Sequence, residues 1–273
     1  MIKNVLYLPS GRIFLTEVDG YLIESTEMRD VSIDGKEHQE VRETNDPHVI
    51  WKHLVPYDKK WLLTVSTQKG CAYNCKFCDV ANLDFCGNLS ELQIEQQIRD
   101  ILLATPYVAK SDKVKIGFAR MGEPALNLTN VLNIIKKLPF LSKSLNRDFR
   151  WLPCFNSILP RIVPDVIDQV LEVKENDYNG FLHFQISCNS TDEDQRRKLF
   201  GEANVLTIEE IIRKINTYNI TNRTITLNFI VMDGIEISIS KLKKMGLNKD
   251  KFTVKLIPLN KTIKTTYLFF LIH

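Results

Sequence analysis

From Trp61 onward, apolar β-branched runs alternate with longer stretches whose apolar positions recur every three to four residues. Parallel βαβ units produce this alternation: a strand covered on its face reads as an apolar run, and its crossover helix carries an apolar stripe. The pattern predicts strands over Trp61–Thr67, Val114–Arg120, Phe149–Phe155, Phe181–Cys188, Thr224–Met232 and Phe252–Ile257. Helices are expected at Ser90–Ala104, with Leu92, Ile98, Ile101 and Leu102 on one face, and at Leu128–Leu138, Pro164–Val173, Thr207–Tyr218 and Ser238–Met245. Six βα units rather than eight predict an α/β fold, an incomplete parallel (βα)6 barrel over residues 59–260 with a lateral opening wide enough for a macromolecule. Chemistry should sit in the loops after the strands' C-terminal ends.

Residues 1–58 read differently. Arg12–Val18 and Tyr21–Ser25 flank Asp19-Gly20, a hairpin signal, and Asp30–Glu43 is polar and charged, so a small β-rich N-terminal extension is expected. Residues 261–273 form a short tail ending in Tyr-Leu-Phe-Phe-Leu-Ile, with neither cap nor charge, which suggests a truncation. The composition, 44% apolar and 25% charged over 273 residues, is that of one medium globular unit with at most a small appendage. With 36 basic and 33 acidic residues the net charge is only +3, which gives no support to a dedicated nucleic-acid-binding domain. The lysine-rich stretch Lys241–Lys264 reads either as a phosphate-contacting surface or as a solvated face. No apolar run reaches the ~18 residues a membrane span needs, and the N-terminus lacks a signal-peptide pattern; a soluble, cytoplasmic protein is expected.

Six cysteines are too few for a disulfide scaffold, and three of them crowd into Cys71-Ala-Tyr-Asn-Cys75-Lys-Phe-Cys78. Such crowding points to a metal-ligating loop. Structural zinc would want a second Cys-x-x-Cys knuckle or a Cys/His set, and of the histidines only His53 lies within twenty residues. A fully ligated ferredoxin-type cluster would want a fourth cysteine, for which Cys86 is the near candidate. Three thiolates on a 4Fe-4S cube leave one iron open, and an open iron is a catalytic position. A zinc-stabilised binding module and three cysteines packed as small hydrophobes stand as the alternatives.

The motif Cys-x3-Cys-x-Phe-Cys, placed directly after a first strand, resembles the signature of radical S-adenosylmethionine (SAM) enzymes. The resemblance implies a 4Fe-4S cluster held by Cys71, Cys75 and Cys78, with SAM chelating the open iron and Phe77 near the adenine. It implies reductive cleavage of SAM to methionine and a 5'-deoxyadenosyl radical, with the electron from a donor such as flavodoxin or ferredoxin. Met121-Gly122-Glu123-Pro124, after the second strand, is similar to the family's Gly-Gly-Glu element, which implies that Gly122 and Glu123 orient the SAM ammonium. Asn156-Ser157 and Ser187-Cys188-Asn189, after the third and fourth strands, resemble residues that bind the SAM carboxylate and ribose, although Ser and Asn there could equally be helix N-caps. Asn260, after the sixth strand, resembles a further SAM contact.

The finer resemblance is to the RlmN/Cfr family of rRNA adenine methyltransferases. It rests on Val65-Ser-Thr-Gln68-Lys-Gly-Cys71, Met121–Asn127, Ile186–Asn189 with Arg196-Arg-Lys-Leu199, Phe229–Gly234 and Val254–Asn260, and spans about residues 61–260. It implies an RNA or nucleotide substrate. Two departures matter. That family carries a cysteine seven residues before the first cluster cysteine, where this chain has Thr64, and it needs a C-terminal cysteine, whereas here none follows Cys188. The expectation is therefore hydrogen abstraction directly from an unidentified substrate, the alternative being a truncated RlmN/Cfr-like methyltransferase. Of the remaining cysteines, Cys86 is expected exposed, Cys154 packed in the third strand, and Cys188 near the SAM pocket.

Overall fold

The computed structural model describes residues 2–33, 36–37 and 47–259. Its elements run β1 (Ile2–Leu8), β2 (Gly11–Val18), β3 (Tyr21–Arg29), β4 (Ser32–Ile33), β5 (Lys36–Glu37), α1 (Pro47–Lys52), β6 (Trp61–Thr64), α2 (Glu91–Ala104), β7 (Lys110–Gly117), α3 (Leu128–Ser144), β8 (Asp148–Ser157), α4 (Val166–Asn176), β9 (His183–Ser187), α5 (Glu193–Leu199), α6 (Ile208–Asn216), β10 (Ile225–Val231), α7 (Ile239–Lys244) and β11 (Phe252–Pro258). All six expected parallel strands form. They pair in chain order as β6-β7-β8-β9-β10-β11, which is the open, partial barrel that six βα units predict. No described helix is long and apolar enough to cross a membrane.

The N-terminal strands continue the same sheet. β1, β2 and β3 form an antiparallel meander, and β3 pairs antiparallel with β6 from Thr26–Thr64 to Arg29–Trp61. The seam is held by a buried carboxylate: Glu27 receives Arg12 Nε at 2.7 Å, Trp61 Nε1 at 3.0 Å and the Tyr57 hydroxyl at 3.3 Å. The hairpin turns at Asp19-Gly20 as expected; both residues have positive φ.

Strand alternation splits the parallel sheet into two chemistries. The outer face, with Val114, Ile116, Phe155, Phe184, Ile186, Leu227 and Phe229, is buried under the helices. The facing stripes include Ile94, Ile98 and Ile101 on α2 and Ile208, Ile211, Ile212 and Ile215 on α6, each contributing about 2 kcal/mol through burial. Leu92, expected on the α2 core face, is 76% exposed instead. At 100° per residue it points away from the buried stripe that the other expected face residues, Ile98, Ile101 and Leu102, share with Ile94. The inner face is polar, carrying Thr64, Lys115, Cys154, Asn156, Gln185 and Asn228. In α3, Pro139 has no N–H for the Ile135 carbonyl, which accepts the Tyr178 hydroxyl at 2.5 Å instead, so the helix continues past the proline to Ser144.

Candidate active site

The expected first strand stops at Thr64, earlier than Thr67, because the backbone there turns from ladder pairing to bonding with the loop after β7. Val65 N–H donates to the Gly117 carbonyl at 2.9 Å and Thr67 N–H to the Met121 carbonyl at 2.9 Å. Buried side-chain amides replace the missing strand partner. Gln97 accepts from Ser66 N–H at 2.9 Å and donates to the Ser66 carbonyl at 3.0 Å. Asn127 Nδ2 donates to the carbonyls of Thr67 (2.8 Å) and Leu89 (2.7 Å), drawing together the two ends of the cysteine loop. A 3-10 turn at Asp79–Asn82 follows the last cysteine, and α2 begins only at Glu91, where Ser90 and Gln93 form a capping box.

Gln68 joins this loop to the Gly-Glu-Pro segment: its Oε1 accepts from Glu123 N–H at 3.0 Å while its Nε2 donates to Asn88 Oδ1 at 2.7 Å. Gly122 has φ +102°, and a Cβ there would stand 2.7 Å from both Gln68 Cβ and Cγ and 2.8 Å from Thr67 Oγ1. Glycine is required for the approach. Gly122→Ala is expected to destabilise the chain by about 1–3 kcal/mol, read as a lowered denaturation midpoint, because both backbone strain and side-chain displacement are imposed.

Glu123 caps the 3-10 turn at Pro124–Asn127, with one oxygen accepting Ala125 N–H at 3.1 Å and the other Ile158 N–H at 3.2 Å. Desolvation dominates its titration and pushes the carboxyl up to about 7, against the opposing hydrogen bonds from Ser157 and the two amides. Ser157, fully buried at the end of β8, also accepts Leu159 N–H at 2.8 Å. Ser187, ending β9, donates to Asn156 Oδ1 at 3.3 Å. Asn189 is buried with φ +63°; its Oδ1 accepts Ile230 N–H at 3.3 Å, while its Nδ2 has no acceptor among the described residues. None of these three side chains caps a described helix. Asn260 lies outside the described residues, as does the tail at 261–273.

Cys71, Cys75 and Cys78 are half-buried, and none is in a disulfide. Burial, with smaller contributions from Glu123 and Cys78, pushes the Cys71 thiol up to about 11, so it is protonated at neutral pH when no cation is bound. Among the described residues no three His, Cys, Asp or Glu side chains form a closed metal cage; the loop offers three soft ligands that must turn toward one another on binding. Cys86 is exposed and lies beside Tyr21, on the flank facing β3.

The sequence pattern missed α5, a seven-residue helix capped by Asp192, and with it the far wall of the loop. The Leu199 carbonyl at its end accepts Lys76 N–H at 2.8 Å, Phe200 meets Phe77 edge-on with centroids 6.2 Å apart, and Gly201 abuts the Asn74 carbonyl. Arg196 is wholly buried over Phe200. The available signal was the Asp192-x-x-Gln195 start before Arg-Arg-Lys-Leu. Gly201 has φ +65°, and its Cβ would fall 2.3 Å from the Asn74 oxygen, so Gly201→Ala should displace the loop and lower iron incorporation without abolishing folding. Iron content per folded chain measures this.

Cys154 is packed in β8 as expected, with its thiol beside Gln185 Nε2 on the inner face. Cys188 follows β9 and is fully buried in the hydrophobic core, where burial pushes its thiol up to about 12. The residue after an inward-pointing Ser187 must point outward, which is why proximity along the chain did not bring Cys188 to the site.

Residues 65–244 match the family described as the radical SAM superfamily. The chain belongs to that superfamily. Radical SAM enzymes use a 4Fe-4S cluster and S-adenosylmethionine. The chain is similar to the probable dual-specificity RNA methyltransferase RlmN of Aquifex aeolicus, 26% identical over 223 residues, which are 80% of this chain and 61% of that protein. It is also similar to the dual-specificity RNA methyltransferase RlmN of Desulfosudis oleivorans, 30% identical over 224 residues, 80% of this chain and 56% of that protein. The chain thus spans roughly three-fifths of the length of these curated relatives. Among solved structures, a radical SAM methyltransferase from Sphaerobacter thermophilus matches with a TM-score of 0.65 at 18% identity, covering 100% of this chain and 73% of that one. At that identity the likeness is one of fold. The residues present fit the radical SAM cofactors: three thiols on one loop, none in a disulfide, suit iron, and the Asn189 amide beyond β9 is a buried donor with no acceptor among the described residues.

Proposed function

We propose that this chain is an enzyme that cleaves SAM reductively and directs the resulting radical to a C–H bond of its substrate. When bound, the cluster supplies the electron that splits the sulfonium into methionine and a 5'-deoxyadenosyl radical. The observation that carries this reading is the Gln68 bridge, which fixes the cysteine loop against the backbone of the buried Glu123. In this reading Cys71, Cys75 and Cys78 hold the cluster, and Glu123, as carboxylate, accepts the SAM ammonium. Gly122 lets the backbone approach, Ser157, Ser187 and Asn189 contact carboxylate and ribose, and Phe77 borders the adenine; Asn260 is proposed as a further contact. A one-electron donor such as flavodoxin or ferredoxin is required, in the reducing setting of the cytoplasm, where six thiols outside any disulfide persist.

Direct hydrogen abstraction is favoured over a methyl-carrying thiol on two grounds. Thr64 stands seven residues before Cys71, with its hydroxyl 2.6 Å from that of Thr26, and Cys188 is inaccessible in the core. The substrate, an RNA or nucleotide by analogy with the similar methyltransferases, is part of the proposal. An anaerobic assay with candidate substrates should yield 5'-deoxyadenosine carrying deuterium from labelled substrate. S-adenosylhomocysteine with a methylated cysteine would overturn direct abstraction and support the RlmN/Cfr-like methyltransferase reading.

A further inference from the structure

The end of the sheet away from the cysteine loop carries a positive charge that no carboxylate answers. Arg29 on β3 pairs with Trp61, the first residue of β6, whereas the cysteine loop follows that strand's other end. At this far end a hollow of about 270 Å³ is lined by Tyr7, Arg12, Glu27, Arg29, Tyr57 and Tyr107 among others. The β1-β2 turn, the end of β3 and the loop after α2 meet there.

Two guanidinium groups and one carboxylate line the hollow. Arg12 gives Nε to Glu27 at 2.7 Å and Nη1 to the Ala104 carbonyl at 3.1 Å, while its Nη2 is buried with no acceptor among the described residues. Arg29 lies over the Tyr57 ring, 5.3 Å from its centroid, and donates Nε and Nη2 to the carbonyls of Val55 and Leu54, both at 3.1 Å. Among the described residues it has no ion-pair partner, and Glu27 already accepts from Arg12, Trp61 and Tyr57. The hollow is thus one negative charge short, with a buried donor left unmatched. Beside these cations Tyr7 is 77% and Tyr107 66% exposed, and Tyr107 meets Tyr57 edge-on with centroids 5.8 Å apart. Ring faces left in water next to an unanswered guanidinium suit a ligand that is part oxyanion and part planar ring.

We propose that this hollow binds a single nucleotide unit, with its phosphate at Arg12 and Arg29 and its base against Tyr7 and Tyr107. The inference goes beyond the radical-transfer reading and needs no cluster. Phosphate matches the planar fork of a guanidinium, and a base stacks on tyrosine whatever its identity. The volume is below the ~300–1,000 Å³ of drug-sized sites, so the hollow admits one phosphate and one ring system rather than a duplex. Its place at the opposite end of β6 from the cysteine loop means that the nucleotide held here is not the one that reacts. It is a free mononucleotide or one unit of an RNA strand whose reacting part lies elsewhere.

The test titrates the full chain, as isolated and after anaerobic reconstitution, with adenosine monophosphate, inorganic phosphate, adenosine and a single-stranded oligoadenylate, reading calorimetric heat and melting temperature. Adenosine monophosphate should bind saturably and about tenfold more tightly than phosphate or adenosine, because two linked contacts share one cost of association. A tighter oligoadenylate marks an RNA strand as the source, and one of equal or weaker affinity marks the free nucleotide. Arg29→Met should weaken the mononucleotide about tenfold, the loss of one charge-assisted contact. Tyr107→Ala should weaken it by about the same factor through lost stacking, with phosphate binding unchanged. If Arg29→Met fails to fold, Tyr107→Ala, at an exposed position, carries the test. No saturable binding of mononucleotide or oligonucleotide at millimolar concentration would overturn the proposal. So would a mononucleotide affinity no greater than that of inorganic phosphate, unchanged binding in the folded variants, or displacement of the mononucleotide by SAM. Nucleotide binding by a chain that forms no 5'-deoxyadenosine would sink the radical reading alone, and 5'-deoxyadenosine formed by a chain that binds no nucleotide would sink this site alone.

Discussion

Replacing Cys71, Cys75 or Cys78 by Ala should reduce iron and sulfide after anaerobic reconstitution from about four of each per chain to background, and 5'-deoxyadenosine formation should vanish with them. The three thiols share one loop, whereas Cys86 lies beside Tyr21 and Cys154 and Cys188 are buried in or after other strands. Losing any one leaves a second iron unligated. The fold should survive, because the loop is anchored by Gln97, Asn127, Gln68 and Leu199 rather than by the thiols. Circular dichroism and a melting midpoint close to the parent's would therefore accompany complete loss of iron. A zinc-stabilised module would behave oppositely, holding zinc tightly and unfolding when a ligand is removed. Assembly should also be favoured by raising pH, since the Cys71 thiol sits near 11 and must lose its proton to bind metal.

Glu123→Gln should weaken SAM binding by roughly 30-fold or more, as expected when one partner of a buried charged pair is removed, while leaving iron incorporation intact. Binding by the parent should itself depend on pH. The empty site holds the carboxyl near 7, and the proposed partner of the SAM ammonium is the carboxylate, so affinity should fall as pH drops below about 7. Near neutral pH, binding should release a proton, which calorimetry in buffers of different ionisation enthalpy measures directly. Stability of the SAM-free chain runs the other way. The folded value lies above the ordinary 4.5, so the folded state holds a proton that the unfolded state has lost between about pH 4.5 and 7. This stabilising contribution is complete below about 4.5, is lost as pH rises through 7, and amounts to about 3 kcal/mol. Glu123→Gln should flatten that window in denaturant titrations. An unchanged SAM affinity in this variant would remove Glu123 from the proposed site.

Sequence reading falls short at the leading residue of one stripe and at short elements. A three-to-four-residue recurrence located α2, yet Leu92 was assigned to the wrong side because one leading leucine does not fix the angle of a stripe. Helix α5 is too short to display a period, and β1, broken off at Pro9, pairs only because β2 folds back on it. Gln68, Gln97 and Asn127 gave no local signal of their work, since an amide that replaces a strand partner has no characteristic spacing.

What the sequence by itself determined was the architecture and the cysteine motif that proposes the ligands. Six β-branched runs alternating with amphipathic stretches dictate parallel crossovers, because a strand can bury its apolar face only beneath its own helix. Three thiols at fixed short spacing after the first of those strands are legible because chelation within one loop is a local property. What only the tertiary structure decided was which side chains share a space. It took Cys188 into the core and left Cys154 facing inward, and it desolvated Glu123. The physical reason is the same in each case: facing, burial and the sum of charges depend on strand register and packing, which couple residues distant along the chain.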